Sequence, residues 1–164
     1  GLIHGYSEKR FDLAQESYEA ALESNPSEPL AWIGLSTLKT WQGRSAEAVA
    51  MAEKALSLSP LDPLKYYFDS LAASAYEADG QYARAVCFAS RAIRSNRKFF
   101  SSHLALFFSE AMLGNTEKAN QCARVAMQIR PNFTVTQYRN ASPHFQNERG
   151  SQYAKLLENF GFPI

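Results

Sequence analysis

Gly43-Arg-Ser-Ala-Glu-Ala48 recurs along the chain as Gly80-Gln-Tyr-Ala-Arg-Ala85 and Gly114-Asn-Thr-Glu-Lys-Ala119, so a glycine precedes an alanine by five residues three times. Each alanine starts a series of alanines at offsets of four and then three, which places the series on one face of a helix. The three series are Ala48, Ala52 and Ala55; Ala85, Ala89 and Ala92; and Ala119, Ala123 and Ala126. A single glycine before such a helix is typical of a turn between two helices. The pattern therefore predicts repeated helix–turn–helix units.

The repeat has a regular period. An earlier copy lacks the glycine but has an alanine at the matched position, so the four matched residues are Ala14, Ala48, Ala85 and Ala119. They are separated by 34, 37 and 34 residues. Proline, which cannot continue a helix, closes three of the copies at Pro26, Pro60 and Pro131. A helical repeat of 34 residues is that of the tetratricopeptide repeat.

The second copy resembles the tetratricopeptide signature most closely. Its signature residues are Trp32, Leu35, Ala48, Ala52, Ala55 and Pro60. The resemblance implies an all-α fold, a right-handed superhelical array of antiparallel helix pairs. The expected segments are a partial first repeat at 1–28, repeats at 29–62, 63–99 and 100–133, and capping helices at 134–164. We expect the three extra residues of the third repeat to extend its first helix through residues 63–71.

The end of the chain departs from the period. A short helix is expected over residues 133–138, and Ser142-Pro143 reads as an N-cap followed by a proline in the first helical turn. A last amphipathic helix over 150–160 should stop at Gly161. This tail and residues 58–71 resemble the C-terminal repeat region of bacterial signalling proteins with a class III adenylate cyclase domain, and some winged-helix transcription regulators have similar tails.

The composition is that of an ordinary globular domain without a distinctive charge. The chain has 164 residues, 46% of them hydrophobic, and a formal net charge of +1, which indicates neither nucleic acid nor an anionic surface as a partner. No apolar run approaches the ~20 residues that span a bilayer, and the first residues lack the features of a secretion signal. We therefore expect a cytoplasmic protein that does not contact membranes.

No arrangement of residues predicts catalysis, a cofactor or a metal ion. His4, His103 and His144 are far apart in sequence, and the glycines are not clustered as in a nucleotide-binding loop. Cys87 and Cys122 lie inside helical patterns without a metal-binding spacing, so we expect two small buried thiols. The sequence thus predicts a module that is not an enzyme.

The resemblance implies that the first helix of each pair lines a concave groove that binds a protein or peptide. The expected groove residues are Leu30, Ile33, Thr37 and Trp41 in the second repeat; Tyr67, Ser70, Ser74 and Glu77 in the third; and Leu104, Phe108 and Met112 in the fourth. We expect Trp41 and Phe108 to face the groove as binding anchors that are not needed for folding. The alternative is that a folded tail or further repeats cover this surface.

Several functions stay open at this point. The leading hypothesis is a protein-interaction or self-association module of a larger bacterial signalling protein, such as the regulatory region of an adenylate cyclase. Rival hypotheses are a small-molecule sensor with its effector in the groove and the interaction region of a winged-helix transcription regulator. The groove lacks the lysines, arginines and asparagines that hold the acidic tails of heat-shock chaperones. A basic patch at Arg91, Arg94, Arg97 and Lys98 is a weak indication of nucleic acid and is more typical of a solvated helix face.

Overall fold

The computed structural model describes residues 2–141 and 148–164, and side chains from residue 10 onward within those ranges. In this part of the chain there are nine α-helices and no strand. The helices are α1 (Leu2–Ser24), α2 (Pro29–Trp41), α3 (Ser45–Leu58), α4 (Lys65–Ala78), α5 (Tyr82–Ser95), α6 (Phe100–Met112), α7 (Thr116–Ile129), α8 (Val135–Ala141) and α9 (Glu148–Asn159). The predicted all-α repeat array is confirmed.

Three helix pairs, α2 with α3, α4 with α5 and α6 with α7, form the body of the array. The two helices of each pair are joined by a three-residue turn whose central glycine has φ between +75° and +78°. A residue with a side chain rarely adopts this backbone conformation, which explains the recurring glycine. The Ser45 hydroxyl donates to Asp79 Oδ1 at 2.7 Å, so the turns of two successive pairs are linked directly.

The predicted alanine series forms the interface between helices. All nine of these alanines are buried, and their small side chains let neighbouring helices approach closely. Large side chains such as Phe68, Tyr76 and Phe107 fill the remaining interior and are themselves fully buried. The Tyr76 hydroxyl reaches the edge of the core and donates to Glu53 Oε1 at 2.7 Å.

The expected extension of the third repeat's first helix through 63–71 is only partly seen, because the helix begins at Lys65. Helix α4 has 14 residues, one more than α2 or α6. The other two extra residues lie in the connection 59–64. Pro60 and Pro63 disfavour helix here, and the Asp62 carboxylate accepts from the Leu64 backbone N–H at 2.7 Å, which holds a turn just before the helix.

The expectation of two buried thiols also fails. Cys87 is exposed and Cys122 is only half-buried. Cys87 lies two residues after Ala85, and residues two apart on a helix point to different faces, so the side chain points away from the alanine interface. Partial burial raises the pKa of the Cys122 thiol.

The tail forms two helices that close the C-terminal end of the array. Helix α8 covers part of the expected 133–138 segment, and α9 starts two residues earlier than expected. The predicted stop at Gly161 is confirmed, since this residue has φ +84° and follows the last helix. The Val135 N–H donates to Pro163 O at 2.7 Å, so the end of the chain folds back onto the start of α8. The predicted N-cap at Ser142-Pro143 lies outside the described residues.

Candidate functional site

The eleven groove residues expected from the sequence differ widely in exposure. Leu30, Trp41 and Tyr67 are exposed; Thr37, Ser74, Leu104 and Met112 are half-buried; and Ile33, Ser70, Glu77 and Phe108 are buried. We call the surface formed by α2, α4 and α6, the first helix of each pair, the groove. Its two ends have different surroundings, because α1 borders one end and the tail covers the other.

The N-terminal end of the groove holds an open recess of about 510 Å³ between α1, α2 and α4, and Ala141 at the end of α8 also lines it. We call it the N-terminal recess. Its aromatic lining is Phe11 and Tyr18 from α1, Trp41 from α2 and Tyr67 from α4. Trp41 is 38% exposed and lies 5.3 Å from Phe11 between ring centroids. Exposed aromatic side chains in a concave surface are the features that most often anchor a bound peptide.

Close packing at Gly34 positions α1 beside this recess. A Cβ atom at Gly34 would lie 2.4 Å from Tyr18 Cζ, so the tyrosine ring occupies the space that any larger residue would need. Polar contacts add to this packing, since the Lys39 ammonium donates to Gln15 Oε1 and to Gln42 Oε1, both at 3.3 Å. The close contact between α1 and α2 at the wall of the recess therefore requires glycine at position 34.

The C-terminal end of the groove is covered by the tail. Phe108 is 3% exposed, and its ring stacks on Tyr153 of α9 with a centroid distance of 4.3 Å and an interplanar angle of 10°. Tyr138 of α8 lies 5.7 Å from the same ring. The expectation that Phe108 lies exposed in the groove as an anchor is wrong, because the tail folds over this surface, as the alternative held.

A polar cluster lies where α9 crosses the end of α4. The Arg149 guanidinium donates a hydrogen bond to the Ala78 carbonyl oxygen, and Glu77 is buried beside it. Burial raises the pKa of the Glu77 carboxyl to about 8, although the nearby Tyr153 hydroxyl and Arg149 act to lower it. Among the described residues, the Tyr153 hydroxyl has no hydrogen-bond partner of ordinary length and angle, so its contact with Glu77 is a loose one.

A smaller cavity of about 230 Å³ remains between α9 and the floor of the groove. We call it the C-terminal cavity. Its walls include Trp41, Ser74, Leu104 and Phe108 from the groove and Tyr153 from the tail. Trp41 borders both this cavity and the N-terminal recess. The described residues of the tail therefore line this cavity and do not fill it.

Two of the expected groove residues belong to the interior instead. Ile33 is buried in one cluster with Phe68 and Ala72, because α2 and α4 pack side by side and cover the positions between them. Ser70 is buried as well, and no hydrogen bond of its hydroxyl is found among the described residues. These positions cannot contact a partner without rearrangement of the array.

The contributions of α1 and α9 to the site were not predicted from the sequence. Phe11 and Tyr18 lie on α1 in the repeat that was expected to be partial. Arg149 and Tyr153 lie one turn apart on α9, and their spacing of four residues is the signal that could have found them.

One residue of the expected basic patch, Arg91, is half-buried and paired with an acidic side chain. The Arg91 guanidinium forms two hydrogen bonds with the buried carboxylate of Asp69, at 2.7 and 2.5 Å. This pair joins α4 to α5 within one repeat. Arg94, Arg97 and Lys98 are exposed, so three residues of the expected patch face solvent.

The described ranges contain neither a metal site nor a membrane-spanning helix. Residues 10–141 and 148–164, whose side chains the structure describes, contain no cluster of three or more His, Cys, Asp or Glu side chains suited to a metal ion. In the described ranges, every helix is too short or too polar to traverse a lipid bilayer.

Comparison with known proteins agrees with this architecture. Residues 1–28 match the family model of the tetratricopeptide repeat. The structure is similar to the crystal structure of MamA, with a TM-score of 0.67, 18% identity, and coverage of 94% of this chain and 86% of that one. It is similar to TTC0263, a thermophilic tetratricopeptide protein of Thermus thermophilus, with a TM-score of 0.66, 23% identity, and coverage of 95% and 86%.

A third similar structure contains a bound peptide. The first tetratricopeptide domain of Spaghetti (RPAP3), bound to an HSP90 peptide, has a TM-score of 0.59 and 17% identity, with coverage of 80% of this chain and 92% of that one. No curated protein sequence matches the chain significantly. The chain therefore has the fold of a tetratricopeptide-like helical repeat array.

Proposed function

We propose that this chain is a non-catalytic module that binds a peptide segment of another protein in the N-terminal recess. The observation that carries the proposal is the exposed pair Trp41 and Tyr67, which face a recess of about 510 Å³ also lined by Phe11 and Tyr18. Aromatic side chains offer a large contact area at low entropic cost. The groove thus offers aromatic side chains that can bind a peptide, and the proposal assigns no catalytic group to it.

The proposal is consistent with the similar structures. The RPAP3 domain is described as bound to an HSP90 peptide, and another similar protein, YrrB, is described as having an unusual peptide-binding site, with a TM-score of 0.62. Among the described residues that line the recess, Arg10 is the only basic one. The ligand here should therefore carry less negative charge than the acidic HSP90 peptide.

The experiment is a peptide selection followed by substitution of the anchors. Peptides selected from a display library on the folded chain are measured against Trp41→Ala and Tyr67→Ala variants. Each substitution should weaken binding by about 2 kcal/mol, or about thirtyfold. Val125→Ala on α7 removes an exposed apolar side chain away from the recess and serves as the matched control. Selected peptides that bind all three variants like the original chain would show that the recess is not the binding site.

The wider context is also proposed. The module would act in the cytoplasm as the regulatory region of a bacterial signalling protein with an adenylate cyclase domain, which rests only on the resemblance of residues 58–71 and of the closing Gly161-Phe-Pro163. Self-association is the second mode of partner binding consistent with it. Mass measurement by light scattering across a concentration series tests self-association, and a mass that stays monomeric throughout argues against it.

The repeat boundaries at 28, 62, 99 and 133 are part of the same proposal. They are supported by the helix bounds, since 29–62, 63–99 and 100–133 each contain one helix pair. Chains that begin at residue 29 should retain three pairs and unfold cooperatively on circular dichroism. A shortened chain without helical signal would contradict these boundaries.

A small-molecule sensor is supported by one specific observation, the C-terminal cavity. Its volume of about 230 Å³ and its mixed polar and aromatic walls suit a small amphipathic compound. A thermal-shift screen against metabolites tests this function, because a ligand that binds only the folded state raises the melting temperature. A rise that survives Tyr67→Ala would separate this function from peptide binding in the N-terminal recess.

A further inference from the structure

The second helices of the pairs form the surface opposite the groove. Among the described residues, α2 packs against α4 and α4 against α6, whereas α3, α5 and α7 make no comparable contacts with one another. The second helices therefore diverge, as they do on the convex side of a helical repeat array. Helix α1 holds the place of a second helix, because its Ala14 matches Ala48, Ala85 and Ala119. We call the solvent-exposed side of α1, α3, α5 and α7 the outer face.

Two matched segments of the array carry opposite charge. Residues 11–28 contain five acidic side chains and no basic one, and residues 82–99, two repeats further on, contain five basic side chains and no acidic one. Each repeat contacts mainly its neighbours, so this difference along the sequence is also a difference along the array. The acidic side chains of α1 are all exposed and lie on one side of the helix, because they are spaced by four, three and four residues. They are Asp12, Glu16, Glu19 and Glu23.

Most of these charges are not neutralised within the chain. Arg84 and Arg91 each pair with a carboxylate of the same chain. Arg94, Arg97 and Lys98 are exposed and form no ion pair with any described residue, and we call these three the basic cluster. The four acidic side chains of α1 form no ion pair in the described part of the chain either. Each surface is therefore complementary in charge to the other, and a second copy of the chain supplies both.

A two-fold axis running along α3 brings the two surfaces together twice. Helix α3 lies between α1 and α5 in the row of second helices, so rotation about this axis puts α1 of each copy opposite α5 of the other. Glu23 and Arg94 both lie one residue before the end of their helices, so the rotation places them at the same level. The exposed side of α3 includes Ala46 and Ala50, whose small side chains let the two copies of α3 approach closely at the axis.

We propose that two copies of this chain pair through the outer face with their arrays antiparallel, so that the acidic side of α1 in each copy contacts the basic cluster of the other. The dimer is closed, because each copy uses both of its surfaces. Exposed ion pairs contribute little individually and are screened by salt, so the dimer is weak and forms at low ionic strength. This inference rests on self-association, the second mode of partner binding proposed above, and assigns it to a surface away from the groove. The N-terminal recess stays open to a peptide in both copies.

The test exchanges the charges of the pair that the two-fold axis aligns. Glu23→Lys and Arg94→Glu are made in separate chains. Lys155→Glu on α9 is the matched control, because Lys155 is exposed and the substitution changes the net charge as much as Arg94→Glu does. The dissociation constant of each dimer is measured by sedimentation equilibrium in about 20 mM and about 300 mM salt. Circular dichroism checks that each variant is folded, and Arg97→Glu replaces Arg94→Glu if that variant loses its helical signal.

The original chain and Lys155→Glu should dimerise alike at low salt, and the higher salt concentration should weaken both dimers about tenfold. Glu23→Lys and Arg94→Glu should each dimerise about tenfold more weakly than the original, because the two-fold axis applies each change at two contacts. An equimolar mixture of these two variants should recover the original affinity, since both contacts of the mixed dimer again join opposite charges.

A mixture that dimerises no better than the separate variants overturns the proposal. A chain that stays monomeric at millimolar concentration and low salt also overturns it, and binding of a single-stranded oligonucleotide through Arg94 would then assign the basic cluster to nucleic acid. Dimerisation that is lost in Tyr67→Ala and kept in Arg94→Glu would place self-association in the groove and overturn the proposal as well. Peptide binding in the recess is measured separately with Trp41→Ala, so its failure is distinguishable from each of these results.

Discussion

Replacing Gly34 by alanine tests the packing of α1 beside the N-terminal recess. The new Cβ would lie 2.4, 2.6 and 2.7 Å from three atoms of the Tyr18 ring. Ordinary contacts are longer by about 1 Å, so the ring must move, and overpacking of this kind costs ~1–3 kcal/mol. Alanine is also the better helix former by about 1 kcal/mol. The net expectation is a loss of up to ~2 kcal/mol in the free energy of unfolding.

The same substitution should have the opposite sign once Tyr18 is removed. In a Tyr18→Ala chain only the propensity term remains, so Gly34→Ala should stabilise by about 1 kcal/mol. Urea unfolding of the four proteins gives the coupling energy directly, and equal slopes show that the unfolded states are comparable. If Gly34→Ala stabilises both backgrounds alike, Tyr18 does not pack on Gly34, and α1 does not form the wall of the recess at this position.

The remaining predictions concern the core and its buried charges. Ala52→Phe should cost ~1–3 kcal/mol by overpacking, whereas the exposed Ala46→Phe should leave the melting temperature nearly unchanged. Arg91→Ala should cost ~2 kcal/mol because it leaves the Asp69 carboxylate buried and poorly paired, and adding Asp69→Asn should recover part of this in urea unfolding. Burial raises the pKa of Glu77 from 4.5 to about 8, so its proton is held more tightly in the folded chain. The free energy of unfolding should therefore fall as pH rises from about 5 to 8, by at most ~1.4 kcal/mol per unit, and Glu77→Gln should remove this slope.

The repeat array could be predicted because its signals are local. A turn glycine, a series of alanines and a closing proline each follow from backbone geometry within one helix pair, and all nine alanines are buried as expected. The connection 59–64 was harder to predict, since three extra residues can lengthen either a helix or a loop. Here Pro60 and Pro63 disfavour helix, and the hydrogen bond from the Leu64 N–H to the Asp62 carboxylate holds a turn.

The candidate site was less predictable because it depends on contacts between distant parts of the chain. Trp41 and Tyr67 are exposed and line the recess. Phe108 was expected to be exposed by its position on α6, yet Tyr153, 45 residues later, covers it. Nothing in the local pattern around Phe108 specifies that contact. Burial of a groove position is a tertiary property that the repeat register alone does not determine.

The central claim is that a partner peptide occupies the concave side at Trp41. The chain has two tryptophans, so Trp32→Phe leaves Trp41 as the only one. Trp41 is 38% exposed, which makes its fluorescence open to quenching by acrylamide. Saturation with a selected peptide should lower the quenching constant and shift the emission to shorter wavelength, because the ring becomes covered. Saturation that leaves both the quenching and the emission unchanged would contradict the proposed site.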